Sequence, residues 1–248
     1  MSAVSLAPEV IFRIGNIPIS NTILSTLLVD AVLVSFVFLV RQRLAQVPGF
    51  LQTIAESAVG YFYSTTEQIA GKFTNVIYPW FASFFLFIFS VNIIGLFPGF
   101  GTIGFFRHEH GEEVFVPLLR AATSDFNTTL ALAVVSVVAT HYLSIKFNGI
   151  KSYLMRFFSL NPIFLFVGLL ELVSEMTKMI SLSFRLFGNI YAGEVVMHTI
   201  SGLFAYVAPI PFLLLESIVA LVQALVFAML TMVFMTILIT PHVEGGEH

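Results

Sequence analysis

The chain of 248 residues has no cysteine and few charges, with lysine, arginine, aspartate and glutamate making up only 10% of it. The first absence excludes disulfides, thiolate metal sites and cysteine nucleophiles. The second excludes the basic stripe that nucleic-acid binding needs, and the formal net charge of -3 points to no charged partner. No glycine-rich loop of the Walker type occurs, so nucleotide chemistry is not expected in this chain. Internal repeats and low-complexity segments are lacking as well. Residues 1 to 20 have neither the basic-then-apolar layout of a cleavable signal nor the Arg/Ser-rich character of an organelle presequence, so the first hydrophobic span is expected to direct insertion itself. What remains is apolar. Hydrophobic residues make up 58% of the chain and the mean hydropathy is +0.96, the composition of an integral membrane protein.

A spanning helix needs about 20 mostly apolar residues. Four regions satisfy this: about 22 to 40, 76 to 97, 125 to 145, and a long stretch from about 162 to 240. The last is expected to break near Gly202 and Pro209-Ile-Pro211 into two helices joined by a short turn. Each is then more than about 45 Å long at 1.5 Å per residue. The hydrocarbon core is only about 30 Å thick, so both must tilt strongly or extend beyond it. Asn161 is the expected N-cap of the first, with Pro162 in its first turn. After Pro48-Gly49, the apolar positions Phe50, Leu51, Ile54, Ala55, Ala58, Phe62 and Ile69 recur at helical spacing. Gln52, Glu56, Glu67 and Gln68 lie mostly opposite, which reads as a helix in the membrane interface or one packed on partners.

The expected fold is therefore an all-α integral membrane protein of about five membrane-embedded helices and one interfacial amphipathic helix, the last two helices forming a long tilted hairpin. It is read as a single membrane domain over 1–248. An outer amino-terminal segment covers 1–20, three spans with the interfacial helix near 48–72 cover 21–160, the hairpin covers 161–240, and a tail covers 241–248. Arg41 and Arg43 follow the first span, and Lys146, Lys151 and Arg156 follow the third, which puts both groups in the cytoplasm. The amino terminus and the 98–120 loop then lie outside and the carboxyl terminus inside.

Against this apolar background the polar residues stand out. Arg185 lies far from either end of its hydrophobic stretch. A guanidinium keeps its proton, and a fixed cation near the bilayer centre costs at least about 2.5 kcal/mol on insertion scales. An anionic partner or an ion path is the usual compensation. At 100° per residue Glu171, Lys178, Arg185 and Asn189 fall within about 40° of one another, with Ser174 and Ser181 beside them and Glu175 at the edge. Glu194 points the opposite way from Arg185 and shares its side with His198. Glu216 and Gln223 share one face of the last helix, and Asp125 and Asn127 stand at the outer start of the third span. By depth, Glu171 and Glu175 lie toward the inner surface, while Glu194, His198, Glu216 and Asp125 lie toward the outer one. Two ionisable sets separated by a permanent cation form the layout of two offset aqueous half-channels.

Plainer readings stand beside that one. Glu175 with Lys178 reads equally as a structural ion pair, and Asp30 as a residue facing packing or partners. Ser124-Asp125 reads equally as a helix cap, Asn127 as a bridge between helices, and His198 as a packed residue or relay accessory. His108-Glu109-His110 with Glu112 and Glu113 lacks an ordered ligand spacing in an exposed loop, so no metal site is expected. A static pair of Arg185 with Glu171 or Glu175 is disfavoured, because those carboxylates lie about three turns or more away on the same helix.

The run Ser181-Leu-Ser-Phe-Arg-Leu-Phe-Gly-Asn-Ile-Tyr-Ala-Gly-Glu194 closely resembles the signature of subunit a of the F-type ATP synthase membrane sector. Asn92-Ile-Ile-Gly-Leu-Phe-Pro98, Asp125-Phe-Asn-Thr-Thr-Leu130, Glu171 with Lys178, and Gln223-Ala-Leu-Val-Phe227 extend the likeness along most of the chain. The resemblance implies that Arg185 faces the carboxylate of each passing c-ring proteolipid subunit, with Asn189 and Gln223 near it. It implies an outer relay of Glu194 and Glu216, the latter a position held by histidine in some members. Asp125 and Asn127 would lie near the outer access path, and Glu171 and Glu175 would border the inner one. The implied partners are the c-ring, the peripheral-stalk b subunits, the rest of the ATP synthase and the lipid of a bacterial plasma membrane. No cofactor and no catalytic site of its own are implied, and whether the ion is a proton or sodium depends on ligands carried by the ring. A self-contained secondary transporter or channel is the alternative; it would be expected to show repeats and broken helices around a midplane site.

Overall fold

The computed structural model describes residues 8–42, 44, 48–101, 103–109, 112–157, 162–203 and 209–240. Its helices are α1 (Asn21–Gln42), α2 (Phe50–Ala70), α3 (Thr74–Gly95), α4 (Phe126–Asn148), α5 (Ile150–Phe157), α6 (Pro162–Leu203) and α7 (Pro209–Ile239). Four helical stretches are long and apolar enough to cross a membrane: Asn21–Gln42, Gln52–Gly95, Phe126–Asn148 and Pro209–Ile239. The second joins α2 to α3 through a single 3-10 turn, Gly71–Phe73. Gly71 takes a φ of 51° there, a left-handed value that glycine adopts without a Cβ penalty. α6, at 42 residues, is the longest helix among the described residues. It does not meet the same apolar criterion, because Glu171, Glu175, Lys178, Arg185 and Glu194 are spread along it. The chain is a multi-pass, all-α membrane protein.

The core is a seam between α3 and α7, flanked by α4 and α6. On α7 the small residues Ala220, Ala224 and Ala228 are buried at four-residue spacing and give the neighbouring helices close access. Ile77, Phe81, Phe85 and Ile88 of α3 enter the same cluster, with Ala133 and Leu143 of α4 and Leu182 and Leu186 of α6. Lipid tails are as apolar as these side chains, so van der Waals fit and hydrogen bonds hold the helices together. Between α4 and α7, Ser136 Oγ and Thr231 Oγ1 are 2.8 Å apart, and Ser144 Oγ donates to the carbonyl of Leu238 at 2.9 Å. Asn148 Nδ2 donates to the same carbonyl at 2.9 Å and so satisfies a group near the end of α7.

The long stretch breaks where expected: α6 ends at Leu203, one residue past Gly202. α7 begins at Pro209 with Pro211 in its first turn, where a missing N–H breaks no intrahelical bond. The joining residues 204–208 lie outside the described residues, as do Asn161, Arg43, His110 and the tail 241–248. The connection between α4 and α6, which carries Lys151 and Arg156, is a helix, α5.

The two segments read as irregular contain β structure. β1 (Val10–Ile14) pairs antiparallel with β2 (Ile17–Ser20), turning at Gly15, whose φ is 62°. In the 98–120 segment β3 (Pro98–Gly101) is followed by β4 (Gly104–Glu109) and β5 (Glu112–Pro117), the last two paired antiparallel. Arg107 joins the hairpins, its guanidinium donating to the carbonyl of Val10 at 3.0 Å. Alternating Val, Ile and Phe around Gly15-Asn16 is the local signal for the first hairpin.

α4 starts where an acidic side chain can cap it. Asp125 Oδ1 accepts from the backbone N–H of Asn127 at 2.9 Å, so the cap reading of Asp125 holds; Ser124 Oγ instead donates to the carbonyl of Ala121. Asp125→Ala is expected to destabilise the protein by about 1 kcal/mol through the lost cap, whereas Asp125→Asn retains an acceptor and stays near wild type. Thermal unfolding of the purified protein in detergent checks the order; equal midpoints for the two variants would show that the cap contributes nothing.

Candidate functional site

Two clusters of polar side chains lie along α6, on different sides of it. The first is a groove of about 460 Å³ between α6 and α7, whose lining includes Ser174, Lys178, Ser181 and Arg185 from α6 and Leu230 and Phe234 from α7. Arg185 is exposed and makes no hydrogen bond or ion pair with another described residue. Asn189, one helical turn further along, is exposed as well. The polar stripe expected from helical spacing is therefore present, and it faces out of this chain rather than into its core.

Glu175 and Lys178 are paired. The ammonium lies 2.7 Å from Glu175 Oε1 and 4.7 Å from the centroid of Phe234, and Glu175 is buried. Glu175 and Lys178 thus form an ion pair, and no carboxylate of α6 pairs with Arg185 among the described residues. Glu171 is half-buried one turn before Glu175. Gln223 is buried on α7 and lies outside the groove that holds Arg185.

The second cluster gathers the residues assigned to an outer path. Glu194 of α6 meets Arg120, which ends the segment leading out of β5. Arg120 Nε stands 3.1 Å from Glu194 Oε1, and a terminal guanidinium nitrogen stands 3.1 Å from Oε2, a two-pronged contact. The Arg120 side chain is 7% exposed and that of Glu194 30%, so this pair is largely shielded from solvent. Breaking a buried pair costs about 3–5 kcal/mol, and the residual exposure of Glu194 places this one at the lower end. Glu216 of α7 lies with its carboxylate against the backbone of Gly193, where any Cβ would collide with Oε1. Glycine next to Glu194 thus lets Glu216 approach α6 closely.

Asp125 stands in the same region with hydroxyl groups around it. Thr22 Oγ1 donates to Asp125 Oδ2 at 3.0 Å, Ser20 Oγ lies 2.8 Å from Thr22 Oγ1, and Asn127 Nδ2 donates to Asp125 Oδ1 at 3.2 Å. Thr129 Oγ1 and Ser183 Oγ, 3.2 Å apart, connect α4 to α6. His198 is exposed one turn beyond Glu194, and Asp30 is exposed near the middle of α1. His108, Glu112 and Glu113 lie in the paired strands β4 and β5, and no group of three potential metal ligands forms among the described residues.

Sequence reasoning missed Arg120, Thr22 and Ser25. Arg120 stands at the end of the expected 98–120 loop. Its place in Leu118-Leu-Arg-Ala-Ala122, with no other charge nearby, is the local sign that this arginine is not a surface residue. Thr22 and Ser25 carry no local sign, because hydroxyls in apolar helices commonly bond their own backbone.

Residues 23–236 match the family model described as ATP synthase A chain. A protein of Moorella thermoacetica called ATP synthase subunit a is 30% identical over 235 residues, covering 95% of this chain and 98% of the relative. One of Pelobacter propionicus, ATP synthase subunit a 3, is 33% identical over 84% of this chain and 83% of its own length. The ATP synthase subunit a of Geotalea daltonii is 32% identical over 87% of this chain and 86% of its own length. The match spans the helices that carry Arg185, Glu194 and Glu216, together with the α3 and α4 segments that pack on them, and the chain belongs to the ATP synthase A chain family.

Proposed function

We propose that this chain is the stator subunit of an F-type ATP synthase membrane sector, supplying two offset half-channels to a rotating c-ring and coupling proton passage to rotation. The observation that carries the reading is Arg185, an exposed guanidinium on α6 with no ion pair among the described residues, standing in an open groove. A self-contained transporter would need the counter-charge to Arg185 within its own chain. A stator leaves it for the rotor.

At about 4 Å and an effective dielectric near 20, opposite charges attract by roughly 4 kcal/mol, enough to keep a rotor carboxylate ionised while it faces Arg185. A carboxyl group that moves on into lipid has to be neutral, so it accepts a proton before leaving and gives one up on return. Glu194, Glu216, Asp125 and Asn127, with His198 as accessory, serve proton entry from one side. Glu171 and Glu175 border exit on the other, and Asn189 and Gln223 support the arginine. Arg185 between the two routes blocks direct flow. Each proton driven by 100 mV supplies about 2.3 kcal/mol for rotation. The chain contributes no catalytic step; nucleotide chemistry belongs to the rest of the complex. The c-ring and the peripheral-stalk b subunits are its neighbours, in a bacterial plasma membrane.

The amino terminus and the β4–β5 hairpin face outward in this reading and the carboxyl terminus faces the cytoplasm, because Arg41, Lys146 and Lys151 cluster at the other ends of their helices. The cysteine-free chain suits a labelling test. A cysteine introduced as Glu112→Cys is expected to react with a membrane-impermeant maleimide from the outer surface, and labelling from the cytoplasmic side alone would invert the half-channels.

Arg185→Ala is expected to abolish ATP-driven proton pumping in vesicles at equal assembled complex, and to raise passive proton flux through the membrane sector. Arg185→Lys should also pump poorly, since an ammonium is a localised, strongly hydrated charge that sheds its proton more readily on burial. Near-normal pumping by Arg185→Ala would refute the mechanism.

A further inference from the structure

Arg120 is buried, unlike Arg185, and it is built in from several sides. Its backbone N–H donates to Ser25 Oγ of α1 at 3.0 Å, and Ser25 Oγ in turn donates to the carbonyl of Asn21 at 3.0 Å. The strand connection before it is fixed by Leu118 N–H to the carbonyl of Ile103 at 2.9 Å and by Gly101 N–H to the carbonyl of Leu119 at 3.0 Å. The next residue, Ala121, sits so close to α3 that a Cβ at Gly95 would stand 2.9 Å from its own Cβ. The backbone is thus seated against α1 and α3 before the side chain reaches α6.

The side chain then engages both oxygens of Glu194. A carboxylate held at a single oxygen can swing about its stem, whereas one held by two parallel N–H groups has its plane fixed. Glu194 follows directly on Gly193, against whose backbone the Glu216 carboxylate lies. The orientation of Glu194 therefore determines how the two carboxylates of the outer route face each other.

We propose that Arg120 is a positioning residue of that route: by clamping both oxygens of Glu194 from a backbone seated on α1 and α3, it fixes the geometry through which a proton passes between Glu194 and Glu216. The assignment rests on the function proposed above. Misplacing a reacting group by about 1 Å can cost about a hundredfold in rate, so the clamp is tied to transport as well as to stability.

The experiment compares Arg120→Gln, Arg120→Lys, Glu194→Gln and the double variant Arg120→Gln with Glu194→Gln. ATP-driven pumping and passive proton flux are read in vesicles of the whole complex, each normalised to assembled complex. Arg120→Gln is expected to lower both by about ten- to a hundredfold. Arg120→Lys, which offers one point charge in place of the fork, should fall between it and wild type. Adding Arg120→Gln to Glu194→Gln should lower transport by less than about a further twofold, because the two side chains act as one unit. Unchanged transport in Arg120→Gln, or losses that multiply independently in the double variant, would overturn the assignment; so would a deficit confined to the amount of complex assembled. Should Arg120→Gln fail to assemble, Glu194→Asp keeps the charge but retracts it by one methylene, and full transport by that variant would overturn the clamp. Normal pumping by Glu194→Gln would remove the outer route and Arg120 with it. A Glu194→Gln defect beside an unimpaired Arg120→Gln would remove the clamp alone.

Discussion

A guanidinium cannot shed its proton in an apolar surrounding, and that constraint organises the polar half of this molecule. Arg120 meets it inside the chain, with Glu194 taking both prongs of its fork. Arg185 does not meet it among the described residues. On the same helix Glu175 is engaged by Lys178, whose ammonium also lies over the ring of Phe234. Internal pairing thus engages Glu175, Lys178 and Glu194 and leaves the cation of Arg185 presented outward. A protein that only needed stability would have paired that charge internally or replaced it with an apolar side chain.

The apolar scaffold makes this division possible. Small residues on α7 let α3, α4 and α6 pack closely around it, and hydroxyl pairs such as Ser136 with Thr231 cross between helices without introducing charge. The close approach at Gly193 extends the same device into the site, because a Cβ there would displace the carboxylate of Glu216. Helix packing on α7 and the approach of Glu216 to α6 therefore both depend on small residues.

How much of this could be read from the sequence depended on whether the signal was periodic. The apolar runs of α1, α3, α4 and α7 gave those helices directly, because a span is a composition statement over about 20 residues. The polar stripe of α6 was legible for the same reason, since Arg185, Asn189 and Lys178 share a face by the 3.6-residue period alone. The β-hairpins were not, as strands of four to six residues carry weak patterns beside such strong helical ones. The break near Gly202 and Pro209 was legible because glycine and proline both weaken a helix, and α6 ends at Leu203 with α7 starting at Pro209.

Arg120 shows the sharper limit. Residues 74 positions apart form its pair with Glu194, and nothing local to either one announces the other. Helical periodicity places side chains on faces of one element, whereas a clamp between a loop and a helix requires knowing where the loop is seated. That seat comes from backbone bonds to Ser25 and from the contact of Ala121 with Gly95, each between different elements. Glu194, Glu216 and Asp125 were visible as a set because each is an isolated acidic residue toward one end of an apolar helix. The engagement of Glu194 was not, because Arg120 reaches it from outside the helix that carries it.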